Sequence, residues 1–287
     1  MKTQKINYMG LALMALLTVF YTSCKKSEVV DNPTPAPEVV TGVRLSTSTQ
    51  FGNILTDNKG FALYFFANDV AGASACTGGC LTVWPVFYKE NLTLGAGLNA
   101  ADFSVVTRAD GSKQSTFKGW PLYYYNQDTA AGDIKGDGVG GIWVVAKTDY
   151  TVMFGNAQLT GHDGLQYNDL GVAGTATSKF ITDPTGRTLY DFKNDTRNTN
   201  TFTRADMSNN AVWPLMAVTG LASIPSVFDK TQFSTITVFG NTQLVYKGHP
   251  LYYFGQDASV RGNTKGVSFP TAGAGIWKVM NNATVAL

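Results

Sequence analysis

Gln114 to Asp128 reads QSTFKGWPLYYYNQD, and Gln243 to Asp257 reads QLVYKGHPLYYFGQD. Two such stretches in one chain mean an internal duplication. Further on, Gly132-Asp133-Ile134-Lys135-Gly136 matches Gly262-Asn263-Thr264-Lys265-Gly266, and Gly141-Ile142-Trp143 matches Gly275-Ile276-Trp277. Trp84-Pro85 answers Trp213-Pro214. Leu55 to Asp69, LTDNKGFALYFFAND, aligns without a gap on Ile181 to Asp195, ITDPTGRTLYDFKND. The chain is therefore expected to hold two homologous halves, 43–150 and 172–287, joined by a connecting segment, 151–171. Each half divides again. All four quarters carry Leu-Tyr-x-(Phe/Tyr)-x-x-Asp: Tyr64/Phe66/Asp69, Tyr123/Tyr125/Asp128, Tyr190/Phe192/Asp195 and Tyr252/Phe254/Asp257.

These motifs read as strands, being short, aromatic and bounded by Gly, Pro, Asn and Asp. Because strand side chains alternate, the motif Tyr and the aromatic two places on share one face. The intervening residue is Phe65, Tyr124 or Tyr253 in three quarters and polar only at Asp191. Mostly apolar residues on both faces suit strands packed between layers. Thr-Asp-x-x-Gly before Leu63 and Leu189 reads as a turn, with Asp bonding its own backbone and Gly supplying a positive φ. Phe103–Arg108, Ser115–Lys118 and Trp120–Asn126 would form a meander, repeated by Phe233–Phe239, Gln243–Lys247 and His249–Phe254. Single helical turns are expected at Asn99–Asp102 and Phe228–Thr231, and no amphipathic helix beyond the N-terminal segment. The fold class is all-β, two tandem antiparallel halves packed as a propeller or as sandwich-like lobes.

The chain has 287 residues with 15 % charged, too apolar for a disordered polyelectrolyte and long enough for a substantial core. Residues 1–23 contain Lys2 and Lys5 and no acid, so the remainder carries equal numbers of basic and acidic residues. A neutral body gives no reason to expect nucleic acid as a partner. Lys2 and Lys5 precede an apolar run, Met9 to Phe20, of signal-peptide length and too short to span a bilayer. The run ends at Tyr21-Thr22-Ser23-Cys24, which resembles a lipoprotein cleavage site with Cys24 as the acylated residue. Tyr21 departs from the usual aliphatic residue there. Residues 1–23 are thus expected to be a signal peptide and 24–42 a lipidated Pro-rich tether, containing Pro33, Pro35 and Pro37. Membrane contact would be through the lipid alone. By analogy with sorting in diderm bacteria, Lys25 and Lys26 without an adjacent Asp favour the outer membrane.

The Tyr-x-(Phe/Trp/Tyr)-x-x-Asp motif, the Cys-x-x-x-Cys before Trp-Pro, and Lys-Gly-x-Pro-Leu-Tyr together resemble the bacterial lipoprotein family known as the secreted repeat of unknown function. The resemblance covers nearly all of the chain after the tether. It implies an exported, often lipid-anchored, all-β repeat protein and brings no established reaction. The second half departs from the pattern in lacking the cysteine pair.

Cys76 and Cys80 are the candidate chemistry. Outside the cytoplasm a disulfide staple is the default, and a redox-active pair the sharper alternative. No His follows Cys80 as haem attachment would need, and two thiols do not close a zinc site. Asp69, Asp128, Asp195 and Asp257 read as turn caps on backbone N–H groups, with oxygen ligation of a cation such as Ca²⁺ as the alternative. Gly132–Gly138 looks faintly like a calcium loop, which the second half does not repeat. The tyrosines at 123–125 and 252–253 could stack on sugars, though aromatics in strands are more often core. Lys118, Lys247, Lys135 and Lys265 could cover apolar surface with their stems. His249 stands where the first half has Trp120, an exchange that suits a structural position. No Walker loop, nucleophile elbow or dinucleotide fingerprint is present, and no cofactor is expected. These readings favour a binding or scaffold module at the cell envelope, with a redox accessory using Cys76 and Cys80 second and a hydrolase third.

Overall fold

Glycine-bounded aromatic segments of a few residues can make only short strands, and the strands of this protein are short. The computed structural model describes residues 41–287. The signal segment, Cys24 and nearly all of the tether lie outside the described residues. The first half holds β1 (Gly42–Ser48), β2 (Gly52–Asp57), β3 (Tyr64–Phe66), β4 (Thr93–Leu94), β5 (Phe103–Thr107), β6 (Lys113–Phe117), β7 (Trp120–Pro121) and β8 (Trp143–Val145). The second holds β9 (Met153–Thr160), β10 (Gln166–Tyr167), β11 (Thr177–Thr182), β12 (Tyr190–Phe192), β13 (Phe233–Val238), β14 (Asn241–Tyr246), β15 (His249–Pro250) and β16 (Trp277–Val279). They form six small sheets, none closed into a barrel: β2-β1-β4, β3-β8, β5-β6-β7, β10-β9-β11, β12-β16 and β13-β14-β15. Pairing is antiparallel except where β4 runs parallel to β1. The one α-helix among the described residues, α1, is five residues long, Gly79–Val83, and carries Cys80.

Residues 151–171 are more than a connection. They contain β9, which pairs with β11 as β1 pairs with β2. The hairpin of the second half is the same unit with a longer tip.

The turns follow the sequence. Asp57 Oδ1 accepts the N–H groups of Lys59 and Phe61, and Asp183 Oδ1 those of Thr185 and Arg187. Gly60 and Gly186 take φ of 93° and 89°, which an L side chain resists. Asn99 and Asp229 cap 3₁₀ turns at Ala100–Asp102 and Lys230–Gln232. The third meander strand is shorter than its apolar run suggests. After Leu122, whose N–H still bonds the Ser115 carbonyl of β6 at 3.0 Å, the chain leaves β6, and Tyr123 exchanges both backbone hydrogen bonds with Tyr64 of the other quarter, at 2.9 and 3.1 Å. Tyr190 and Tyr252 do the same at 2.9 and 2.9 Å. The quarters thus pair two by two within each half.

Strand alternation divides the core of the first half. Tyr64 and Phe66 point into one cluster with Trp84, Tyr123, Tyr125 and Trp143, while Leu63 and Phe65 point into another that runs on through the second half.

Candidate functional site

The paired quarters bring the motif residues together, and the arrangement is reciprocal. Tyr64 donates its hydroxyl to Asp128 Oδ2 at 2.6 Å, and Tyr123 donates to Asp69 Oδ2 at 2.7 Å. In the second half Tyr190 donates to Asp257 at 2.7 Å and Tyr252 to Asp195 at 2.6 Å. Each motif tyrosine therefore reaches the aspartate of the other quarter, never its own. The second carboxylate oxygen accepts a backbone N–H a few residues on: Ala75 for Asp69, Lys135 for Asp128, Thr201 for Asp195 and Lys265 for Asp257. One carboxylate fixes its own loop and locks the neighbouring quarter.

All four aspartates are buried. Burial is the largest influence on each and raises its pKa, to about 7 for Asp69 and about 6 for Asp257. The hydrogen bonds from tyrosine and backbone pull the other way without prevailing. Burial also raises the four tyrosines, so they remain neutral donors.

The second motif aromatic closes a stack. Phe66, Trp143, Trp84 and Tyr125 lie in sequence with centroid spacings of 4.0, 3.7 and 4.4 Å. Phe192, Trp277, Trp213 and Phe254 repeat it at 4.7, 3.6 and 4.3 Å. The motif tyrosines meet these tryptophans edge-on, Tyr64 against Trp84 and Tyr123 against Trp143 at 5.5 and 5.1 Å. Edge-to-face contact is a favourable arrangement of aromatic quadrupoles. The signal that would have found the stack is spacing: Trp84 and Trp143 each follow their motif tyrosine by 20 residues.

Gly136 and Gly266, paired in the repeat alignment, lie under the rings. A Cβ at Gly136 would fall 2.9 Å from both Trp84 and Tyr64, and one at Gly266 2.8 Å from Trp213 and Tyr190. Space, rather than backbone conformation, demands glycine there.

Cys76 and Cys80 are bonded to each other, with Cα atoms 5.4 Å apart. Cys76 is fully buried among the stack residues, and Cys80 is half-buried. Arg108 holds the loop, donating to the Cys76 carbonyl at 2.6 Å, to Gln114 Oε1 at 2.7 Å and to Ser74 Oγ. The second half shows what replaces the bridge. Ala75 and Thr201 each follow their motif aspartate by six residues and bond it alike, so Phe202 stands where Cys76 does. Its ring packs against Phe192 and Trp277 at 5.0 and 4.8 Å.

The other sequence candidates are engaged by groups of the protein itself. Asp133 accepts from Thr129 and Ala130 N–H and from Lys135 Nζ, while Asp137 accepts from Val145 N–H. Tyr124 and Tyr253 donate to Asp57 and Asp183. Lys118 and Lys247 sit at positive φ in matched Lys-Gly hairpin turns, each ammonium about 5.5 Å from the preceding aromatic ring. Among the described residues no cluster of three His, Cys, Asp or Glu side chains is placed to hold a metal ion.

Residues 46–88 and 104–147 match the family model of the secreted repeat of unknown function. Both matches fall in the first half. The matched stretches are the two quarters that exchange Tyr64 and Tyr123, and a secreted repeat is in keeping with an extracellular or envelope location. No curated protein and no solved structure matches the chain. No helix among the described residues is long and apolar enough to cross a membrane.

Proposed function

We propose that the chain is an envelope lipoprotein, anchored at the outer membrane through Cys24, whose secreted-repeat body acts as a binding or scaffold module. The observation that supports this reading is the inward commitment of the motif. Every repeated tyrosine and aspartate is spent on locking two quarters together, and the repeated aromatics on a stack between them. Such residues make a rigid body and leave recognition to the parts that differ between repeats. The redox reading of Cys76 and Cys80 has less support, because a phenyl ring takes the same place in the second half and carries no redox chemistry.

The test is metabolic labelling with radioactive palmitate followed by membrane fractionation. The wild type should be labelled and sediment with outer membranes, and Cys24→Ala should be unlabelled and either soluble or uncleaved. An unlabelled wild type with an unmodified N-terminus elsewhere overturns the anchor.

A further inference from the structure

Three positions break the repeat together. In the first half Phe65 packs on Trp120 with centroids 6.2 Å apart, and Phe65 lies opposite Val144 across the β3–β8 pair. The matching positions of the second half are Asp191, His249 and Lys278, with Asp191 opposite Lys278 across β12–β16. Three apolar side chains in one half are an acid, an imidazole and an amine in the other. They line a cavity of about 260 Å³, whereas Phe65 and Trp120 leave only about 10 Å³.

Most of the charge is matched internally. His249 Nδ1 lies 3.1 Å from Asp191 Oδ2, and Nε2 lies 2.8 Å from the Val285 carbonyl. Nε2 donates to the Val285 carbonyl, and Nδ1 faces the Asp191 carboxylate without the geometry of a hydrogen bond, a placement that favours a positive charge on the ring. Burial opposes that charge, but Asp191 and the Val285 carbonyl outweigh it and raise the pKa. Asp191 Oδ1 accepts the Lys278 backbone N–H at 3.2 Å, and Asp169 accepts from the Asn281 amide at 2.7 Å. Both acids of the cavity are thereby occupied. The Lys278 ammonium has no hydrogen-bond or ion-pair partner among the described residues. A second cavity of about 310 Å³ shares Leu170, Asp191 and Lys278 with the first and adds Lys193, also without a side-chain partner. The remaining walls include Leu170, Val279 and Val285, and Leu170 is 63 % exposed.

We propose that this cavity binds a small aliphatic carboxylate, its anionic group on Lys278 and its chain against the apolar wall. An unpaired ammonium on a residue that lines a partly apolar cavity favours an anion with a hydrocarbon body, and both acids of the cavity already accept hydrogen bonds, Asp191 lying beside the His249 ring as well. The proposal rests on the binding-module reading and gives it a ligand class. Its failure would leave the Cys24 experiment untouched.

The probe is hexanoate, titrated calorimetrically into the purified full-length chain, with hexylamine and 1-hexanol as controls. Saturable hexanoate binding is expected, with neither control matching it. Lys278→Val, which installs the first half's residue, should weaken binding at least about tenfold, and Lys278→Arg should hold it within about threefold. Asp191→Phe with His249→Trp should abolish binding by filling the cavity. Melting curves report whether each variant folds, and Lys278→Gln stands in if the double variant does not. No saturable binding to the wild type, equal affinity for hexylamine, or full affinity in a folded Lys278→Val or Lys278→Gln variant overturns the proposal.

Discussion

A buried aspartate that accepts a tyrosine hydroxyl and a backbone N–H has every oxygen satisfied, yet its charge still lacks water. Asp69 shows which effect wins: burial holds its pKa near 7, well above the 3.8 of a free side chain. The sign of the pH dependence follows. Between about pH 4 and 7 the folded protein keeps a proton that the unfolded chain has released. The associated stability is fully present below the unfolded value and is lost as the pH rises through 7. Asp257, near 6, adds to the same trend. Asp69→Asn is neutral at every pH and can still accept the Ala75 N–H, so it should flatten the slope. The measurement is the urea midpoint of wild type and variant from pH 4.5 to 7.5. A variant as steep as the wild type would show that Asp69 is ionised throughout.

At the scale of elements, the same loop is held in two ways, by a disulfide in one half and by a phenyl ring in the other. A five-residue covalent loop removes little chain entropy, so Cys76→Ser with Cys80→Ser should cost about 2 kcal/mol. Phe202 is only half-buried, and Phe202→Ala should cost about 2 kcal/mol as well, below the range for a fully buried ring. Denaturant unfolding of the two variants would measure this, and a Phe202→Ala protein as stable as the wild type would sink the equivalence. The duplication, the four motifs and the Thr-Asp-x-x-Gly turns were legible in the sequence because each depends on neighbours a few residues away. The partner of each tyrosine was not, since Tyr64 and Asp128 meet only after two quarters fold against each other. Nor was β9, because the long tip between it and β11 hides the match to β1 and β2. The change from Phe65 and Trp120 to Asp191 and His249 was visible residue by residue, but only the strand register adds Lys278 and makes it one change.

At the scale of the whole molecule, the two halves are joined by their shared core and by polar contacts, among them Lys147 and Asp149 to Ser223, Asn156 to Asn68, and those of one arginine. Arg261 belongs to the second half and donates to carbonyls of the first, to Val70 at 2.7 Å and Lys118 at 3.1 Å. Its guanidinium lies 4.6 Å from the Trp120 ring, and Trp120 in turn donates to the Pro184 carbonyl at 2.9 Å. Gly72, Gly119 and Gly186 make room for it: a Cβ at Gly119 would fall 2.0 Å from Arg261 Nη1, and one at Gly72 or Gly186 3.1 Å from the side chain. Burial lowers the Arg261 pKa to about 10, so the group is still charged at neutral pH. Hydrogen bonds from a half-buried cation to carbonyls are individually stronger than neutral ones, and removing the donor leaves those carbonyls unpaired. Arg261→Met keeps much of the apolar stem and removes the fork. It should cost about 3 kcal/mol and loosen the coupling between halves, so that calorimetric unfolding enthalpy exceeds the van't Hoff value. Differential scanning calorimetry reads both quantities at once. A single transition with matching enthalpies and an unchanged melting temperature in Arg261→Met would mean that the shared apolar core and the remaining contacts between the halves make them cooperative without the arginine, and that the glycine-lined channel merely accommodates its side chain.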